Sequence, residues 1–116
     1  MKTFAGRKLG RKSGHRLALL RNLTISLVEY ERIQTTVPKA KELVRYAEKV
    51  ITAAKKQGIN AQRQVAALLG HSKASKKIFE VLVPRYQSRN GGCTQIVRNG
   101  FREGDSSPIA VVRFLP

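Results

Sequence analysis

The side chains best equipped for chemistry in this sequence are cations, and they are crowded. Residues 6–22 read GRKLGRKSGHRLALLRN, which brings Arg7, Lys8, Arg11, Lys12, Arg16 and Arg21 together with His15, just after Lys2. No acidic residue appears before Glu29. Guanidinium and ammonium groups at that density are suited to phosphate oxygens, Arg as a bidentate fork and Lys as a point charge. Two further clusters repeat the theme. Lys39 and Lys41 open a helical segment, and Arg85, Tyr86 and Arg89 follow Pro84. Tyr86 can stack on a base or hydrogen-bond a ribose hydroxyl; it can equally be a core anchor with its hydroxyl at the rim.

The whole composition points the same way. The 116 residues hold 23 Lys and Arg against 7 Asp and Glu, a net charge of +16, with a pI near 11.0. Such an excess destabilises a compact chain by self-repulsion unless a polyanion neutralises it. Nucleic acid is the first expectation and an acidic membrane surface the second. No apolar run reaches membrane-spanning length, and the first residues lack the apolar stretch of a secretory signal. They are Arg-rich like a transit peptide, but Gly6, Gly10 and Gly14 argue against an amphipathic targeting helix. Residues 1–13 are therefore expected to form a basic extended arm. Cys93 is the single cysteine, so no intrachain disulfide can form.

Constellations for catalysis are scarce. His15, His71 and Cys93 are too scattered in sequence for a zinc pattern, and Cys93 reads as a small half-buried side chain at a strand start. The stretch GRKLGRKSG lacks the preceding strand and the glycine–lysine spacing of a phosphate-binding P-loop. Glu103 and Asp105 sit in the turn-rich REGDSSP, where turn hydrogen bonding is the default. No catalytic residue, metal, cofactor or small-molecule substrate is expected.

These cations need a frame. Leu20, Leu23 and Leu27, joined by Leu17 and Val28, mark a helix from about Gly14, and RIQTT at 32–36 reads as a short strand. Ala40, Leu43, Val44, Ala47, Val50, Ile51 and Ala54 form one continuous apolar helix face. Thr36 is placed to cap that helix, Pro38 is tolerated in its first turn, and Gly58 should end it. Asn60 should cap a third helix closed by Gly70. Ser72 should start a fourth, stopped by Pro84. CTQIVRNGF (93–101) and IAVVRF (109–114) read as an antiparallel hairpin. The expected fold is α+β in the order αβαααββ, with helices packed on one face of a small three-stranded mixed sheet. Residues 14–116 make one domain behind the arm. Thirteen extended residues reach up to about 43–47 Å, far enough to thread into a neighbour.

Several helix starts break the dipole rule, which favours negative charge there. Arg16 opens the first helix while Glu29 and Glu31 close it; Lys39 and Lys41 open the second; Lys73, Lys76 and Lys77 open the fourth. Free N–H groups beside cations are phosphate sites, and local rules tend to fail at functional positions.

Three blocks add a resemblance: GRKLGRKSGHRLALLRNL at 6–23, RIQTTVPKAKEL at 32–43, and PRYQSRNGGCTQIVRNGFREGDSSPIAVVRFL at 84–115. In combination, order and spacing they resemble the family of the seventeenth protein of the bacterial large ribosomal subunit. The chain departs from that family at Cys93, where members often have Tyr, and at Arg113, where they often have an acidic residue. The resemblance implies an rRNA-bound structural protein of a cytoplasmic ribosome, or of an organellar one. It also implies a place near the outer opening of the nascent-chain tunnel, beside protein thirty-two of the same subunit. A basic DNA-compacting protein is the alternative the charge allows. An RNA-processing enzyme would need an acid–base or metal constellation.

Overall fold

In a computed structural model the described residues are 13–70 and 73–116. The first helix, α1 (Ser13–Tyr30), buries Leu20, Leu27 and Val28. It ends as Glu31 takes a left-handed φ of 63° and donates its N–H to the Leu27 carbonyl at 2.7 Å. The chain then runs straight into β1 (Arg32–Thr36) and α2 (Val37–Lys55). Ala40, Leu43, Ala47, Val50, Ile51 and Ala54 are buried along α2, with Val44 half-buried beside them. Thr36 occupies the capping position in extended geometry without a side-chain cap bond, and Pro38 lies in the first turn.

Gly58 opens a helix instead of ending one. The second helix stops at Lys55, Lys56 and Gln57 donate their N–H groups to the Ala53 and Ala54 carbonyls, and Gln57 and Gly58 take φ values of 60° and 87°. Two consecutive left-handed residues reverse the chain within a short link, so α3 (Gly58–Leu69) starts before Asn60, which is an exposed interior position and not a cap. Gly70 closes this helix as expected, with φ 77° and its N–H on the Ala66 carbonyl.

Pro84 does not stop the last helical stretch either. A short helix, α4 (Lys73–Lys77), continues as a π-helical turn (Ile78–Leu82) and then as α5 (Val83–Tyr86). The Val83 N–H reaches back five residues to the Ile78 carbonyl. The wide turn restarts the hydrogen-bond pattern, so Pro84 falls in the opening turn of α5, where its missing N–H leaves no bond unmade.

The sheet adds β2 (Thr94–Phe101) and β3 (Pro108–Phe114) in the order β1-β3-β2. Both pairings are antiparallel, so the sheet is not mixed. The crossover strands β1 and β2 run parallel but do not touch, because β3 lies between them. Its apolar sequence PIAVVRF suits the position in which both backbone edges are bonded. Ala110, Val112 and Phe114 face the helices and join Leu27, Leu43, Val65, Leu69, Ile78 and Leu82 in one core cluster.

Candidate nucleic-acid interface

The pattern that buries one face of α2 exposes another. Lys41, Arg45, Lys49, Thr52 and Lys56 recur at helical spacing on the outer side and are all exposed. At 1.5 Å per residue the stripe runs roughly 22 Å. Lys41, Arg45 and Lys49 stand four residues apart, an arrangement in which each like-charged pair costs about 0.2–0.5 kcal/mol. The two carboxylates of α2 stand outside this row. Glu42 is buried, and Glu48 accepts the Gly92 N–H at 2.7 Å and the Thr94 hydroxyl at 3.0 Å.

Hollows flank the stripe. One of about 590 Å³ lies between α2 and α3, lined by Arg45, Lys49, Lys56, Gln64 and Leu68 among others. A smaller one of about 220 Å³ lies towards α1, lined by Arg16, Leu17, Leu20, Glu42, Arg45, Tyr46 and Lys49. Arg45 and Lys49 border both. The three helices are tied together at the Leu68 carbonyl, which accepts from the Tyr46 hydroxyl and, at 3.3 Å, from Arg21 Nε. That bond uses one of the five donors of Arg21, and the residue is otherwise exposed.

The residues expected to meet a polyanion separate into groups. Lys2, Arg7, Lys8, Arg11 and Lys12, and with them the arm, lie outside the described residues, as does His71. His15 is exposed and Arg16 half-buried in the opening turn of α1, while Lys39 and Lys41 are half-buried and exposed at the start of α2. Of these, Arg16 borders the hollow that Arg45 and Lys49 also line, two residues that sequence reasoning missed. The signal was available in the 41, 45, 49 and 56 spacing opposite the apolar face.

Arg85 and Tyr86 belong to a different setting. Arg85 Nη1 contacts Glu31 Oε1 at 2.7 Å, and Lys77 Nζ contacts Glu31 Oε2 at 3.1 Å. Lys77 also donates to the Glu29 carbonyl at 3.2 Å. The Arg85 hydrogen bond holds the Glu31 carboxyl below its ordinary value, against the opposing effect of burial and with further help from Lys77. This accounts for the acidic end of α1: cations from the last helical stretch neutralise it. Tyr86 is only 2% exposed, its hydroxyl donates to the Leu115 carbonyl, and its ring lies 6.2 Å from that of Phe114. Desolvation raises its pKa. The expectation that Tyr86 stacks on a base is corrected: the ring is a core anchor, closed to a partner. Arg85, 5.8 Å above that ring, reinforces the junction. Arg89 remains exposed, with Nη1 on the Gly92 carbonyl at 3.2 Å and its own carbonyl accepting from Lys55 Nζ.

The remaining reactive groups are structurally engaged. Burial, reinforced by the Glu48 carboxylate, pushes the Cys93 thiol up to about 11, which leaves it a poor nucleophile at neutral pH. Asp105 accepts both Nε and Nη2 of Arg102 and the Ser107 N–H, and the guanidinium holds it well below the usual carboxylate range. Among the described residues no group of three His, Cys, Asp or Glu could hold a metal ion, and no helix is long and apolar enough to cross a membrane.

Comparison with known proteins agrees with the surface chemistry. Residues 19–115 match the family described as Ribosomal protein L17. A Large ribosomal subunit protein bL17 from Endomicrobium trichonymphae is 51% identical, covering 99% of this chain and 98% of that protein. The protein of the same name from Aliarcobacter butzleri is 50% identical over 94% of each chain. That from Ehrlichia canis is 47% identical, covering 96% of this chain and 87% of its own. The chain belongs to the ribosomal protein L17 family, whose members are structural components of the ribosome and not enzymes.

Proposed function

We propose that this chain is a constituent of the large ribosomal subunit that binds large-subunit rRNA through the cationic stripe of α2 and the hollows beside it. The observation that carries this reading is Lys41, Arg45 and Lys49 exposed in successive turns without a carboxylate in their row. Their mutual repulsion is relieved when phosphates lie along the helix. Arg16 and Arg21 widen the same side, Lys39, His15 and Arg89 are further contacts, and Lys2, Arg7, Lys8, Arg11 and Lys12 extend it as an arm into the RNA. Phosphate contacts set register without reading sequence, so specificity comes from the tertiary shape of the RNA. A place near the outer opening of the nascent-chain tunnel, beside protein thirty-two and in the cytoplasm, is part of the proposal and rests on the family resemblance.

The test is affinity for large-subunit rRNA across a salt series, for the wild type and for Arg45→Gln/Lys49→Gln. Each lost phosphate contact should flatten the log–log slope by about 0.7–0.9. A double variant with wild-type affinity and slope would place the stripe in solvent.

A further inference from the structure

The sheet has a second face. On β3, Ala110, Val112 and Phe114 are buried under the helices while Arg113 is exposed and Ile109 and Val111 are half-exposed on the other side. Register sets their neighbours. Arg32 of β1 lies opposite Arg113, and Gln34 opposite Val111; from β2, Gln95 lies opposite Arg113 and Val97 opposite Val111. No described element covers this face: Arg32, Gln34, Gln95 and Arg113 are exposed, and Val97 is 46% exposed.

Its chemistry is one-sided. Like charges directly opposite one another on adjacent strands are destabilising, yet Arg32 and Arg113 form such a pair. Arg113 is held in place by donating Nε to Gln95 Oε1 at 2.7 Å, a neutral partner that leaves the positive charge uncompensated. Glu31, the carboxylate adjacent to β1, is committed to Arg85 and Lys77. Further along, Asn99 Nδ2 donates to Gln34 Oε1 at 3.4 Å across the central strand. Past a bulge after Arg98, Phe101 pairs with Pro108 and so falls on the same side of the sheet as Ala110 and Val112, off this open face. From Arg113 to Pro108 the strand spans roughly 17 Å.

We infer that this open face is a second RNA site, distinct from the α2 stripe. It takes an RNA segment whose phosphate sits between Arg32 and Arg113, with its sugars and base edges along the amides of Gln34, Gln95 and Asn99. Paired guanidinium groups beside exposed amides are suited to phosphate, sugar and base-edge hydrogen bonds. A protein partner fits less well, because Val97 and Val111 are hemmed by amides and arginines and leave no continuous apolar centre of the kind that anchors protein interfaces. The inference rests on the rRNA reading above. It implies that the protein is held between two RNA segments, one on the helices and one on the sheet.

The experiment compares full-length wild type, Arg32→Gln/Arg113→Gln and Arg45→Gln/Lys49→Gln in large-subunit rRNA binding across a salt series, with thermal unfolding of each free protein. The sheet variant should melt at or above the wild-type temperature, since a like-charge pair is gone. It should bind more weakly, with its log–log slope flattened by about 0.7–0.9 for the phosphate lost. A sheet variant with wild-type slope and affinity, beside a helix variant that loses both, overturns the second site and leaves the rRNA reading standing. Failure of the wild type to bind large-subunit rRNA removes that reading and this inference with it. A sheet variant that binds naked rRNA as wild type does, but no longer joins large subunits, overturns the RNA assignment in favour of a protein neighbour.

Discussion

Two groups of cations sit on the helical layer and behave oppositely. At the junction of α1 with the last helical stretch, Lys77 and Arg85 close on the Glu31 carboxylate, and Arg85 covers a buried tyrosine. Along α2, Lys41, Arg45 and Lys49 follow one another at successive turns and are exposed to solvent. The residue types are the same, and the local charge density is similar. What differs is the group each faces. A cation facing a half-buried carboxylate holds elements of the fold together; a cation facing its own kind stores repulsion that only an outside anion relieves. Net charge alone therefore cannot say which arginines meet RNA.

The largest effects should come from beneath these surfaces. Leu43→Ala, on the buried side of α2, should cost about 2–5 kcal/mol in denaturant unfolding. Lys49→Ala, on the opposite side, should stay within about 0.5 kcal/mol. Comparable losses at both positions would mean that the stripe is part of the fold, and the contrast between the two groups would disappear.

The junction should respond on a smaller scale and with a pH signature. The Glu31 pKa is lowered in the folded protein, so its contribution is fully present above the unfolded carboxylate value and is lost as pH falls through that value towards the folded one. Glu31→Gln should cost about 1 kcal/mol near pH 6, as for a partly exposed ion pair, and the difference from wild type should shrink as pH falls below the ordinary carboxylate value. The measurement is unfolding free energy at several pH values. A gap that persists in acid would assign the role of Glu31 to shape and not to charge.

At the start of α2 the smallest effect has the opposite sign. Lys39→Gln/Lys41→Gln should leave the free protein as stable as wild type or more so, by a few tenths of a kcal/mol per residue. Calorimetry of the free chain decides this. A clear loss of stability would move those lysines into the structural group with Lys77 and Arg85.

Much of this frame was legible because hydrophobic period is a local property. The apolar positions of α2 and the alternating residues of β3 read directly as a helix face and a strand. The misreadings arose where geometry depends on what comes next in space. Pro84 is a helix breaker only if the preceding turn is α-helical, and the π turn at Ile78–Leu82 removes that condition. Gly58 could end one helix or open the next, and the tight reversal at Gln57 decided it. The mixed sheet failed because sequence order does not reveal which strand takes the centre. Among the site residues, Lys39 and Lys41 stood out by their place at a helix start. Arg45 and Lys49 were hidden by the abundance of lysine and arginine, although their spacing was there to read. Tyr86 could not be assigned from sequence, because its role depends on Phe114 and Leu115, which reach it only in the folded chain.

The central place of β3 also bears on how the molecule is made. Synthesis delivers β1 first and β2 much later, and neither has a neighbour in the sheet until β3 arrives. At about 5–20 residues per second, the interval between Thr36 and Pro108 is on the order of several seconds. Throughout it the helices can pack on one another, but Ala110, Val112 and Phe114 are missing from their underside, and β1, joined late by β2, presents unpaired backbone. For that interval the nascent chain is a strongly cationic, partly assembled body in a cell full of RNA. Binding of the helical side before the sheet closes is then a kinetic route open to it, and a chaperone that shields the bare strand edges would act in this same window.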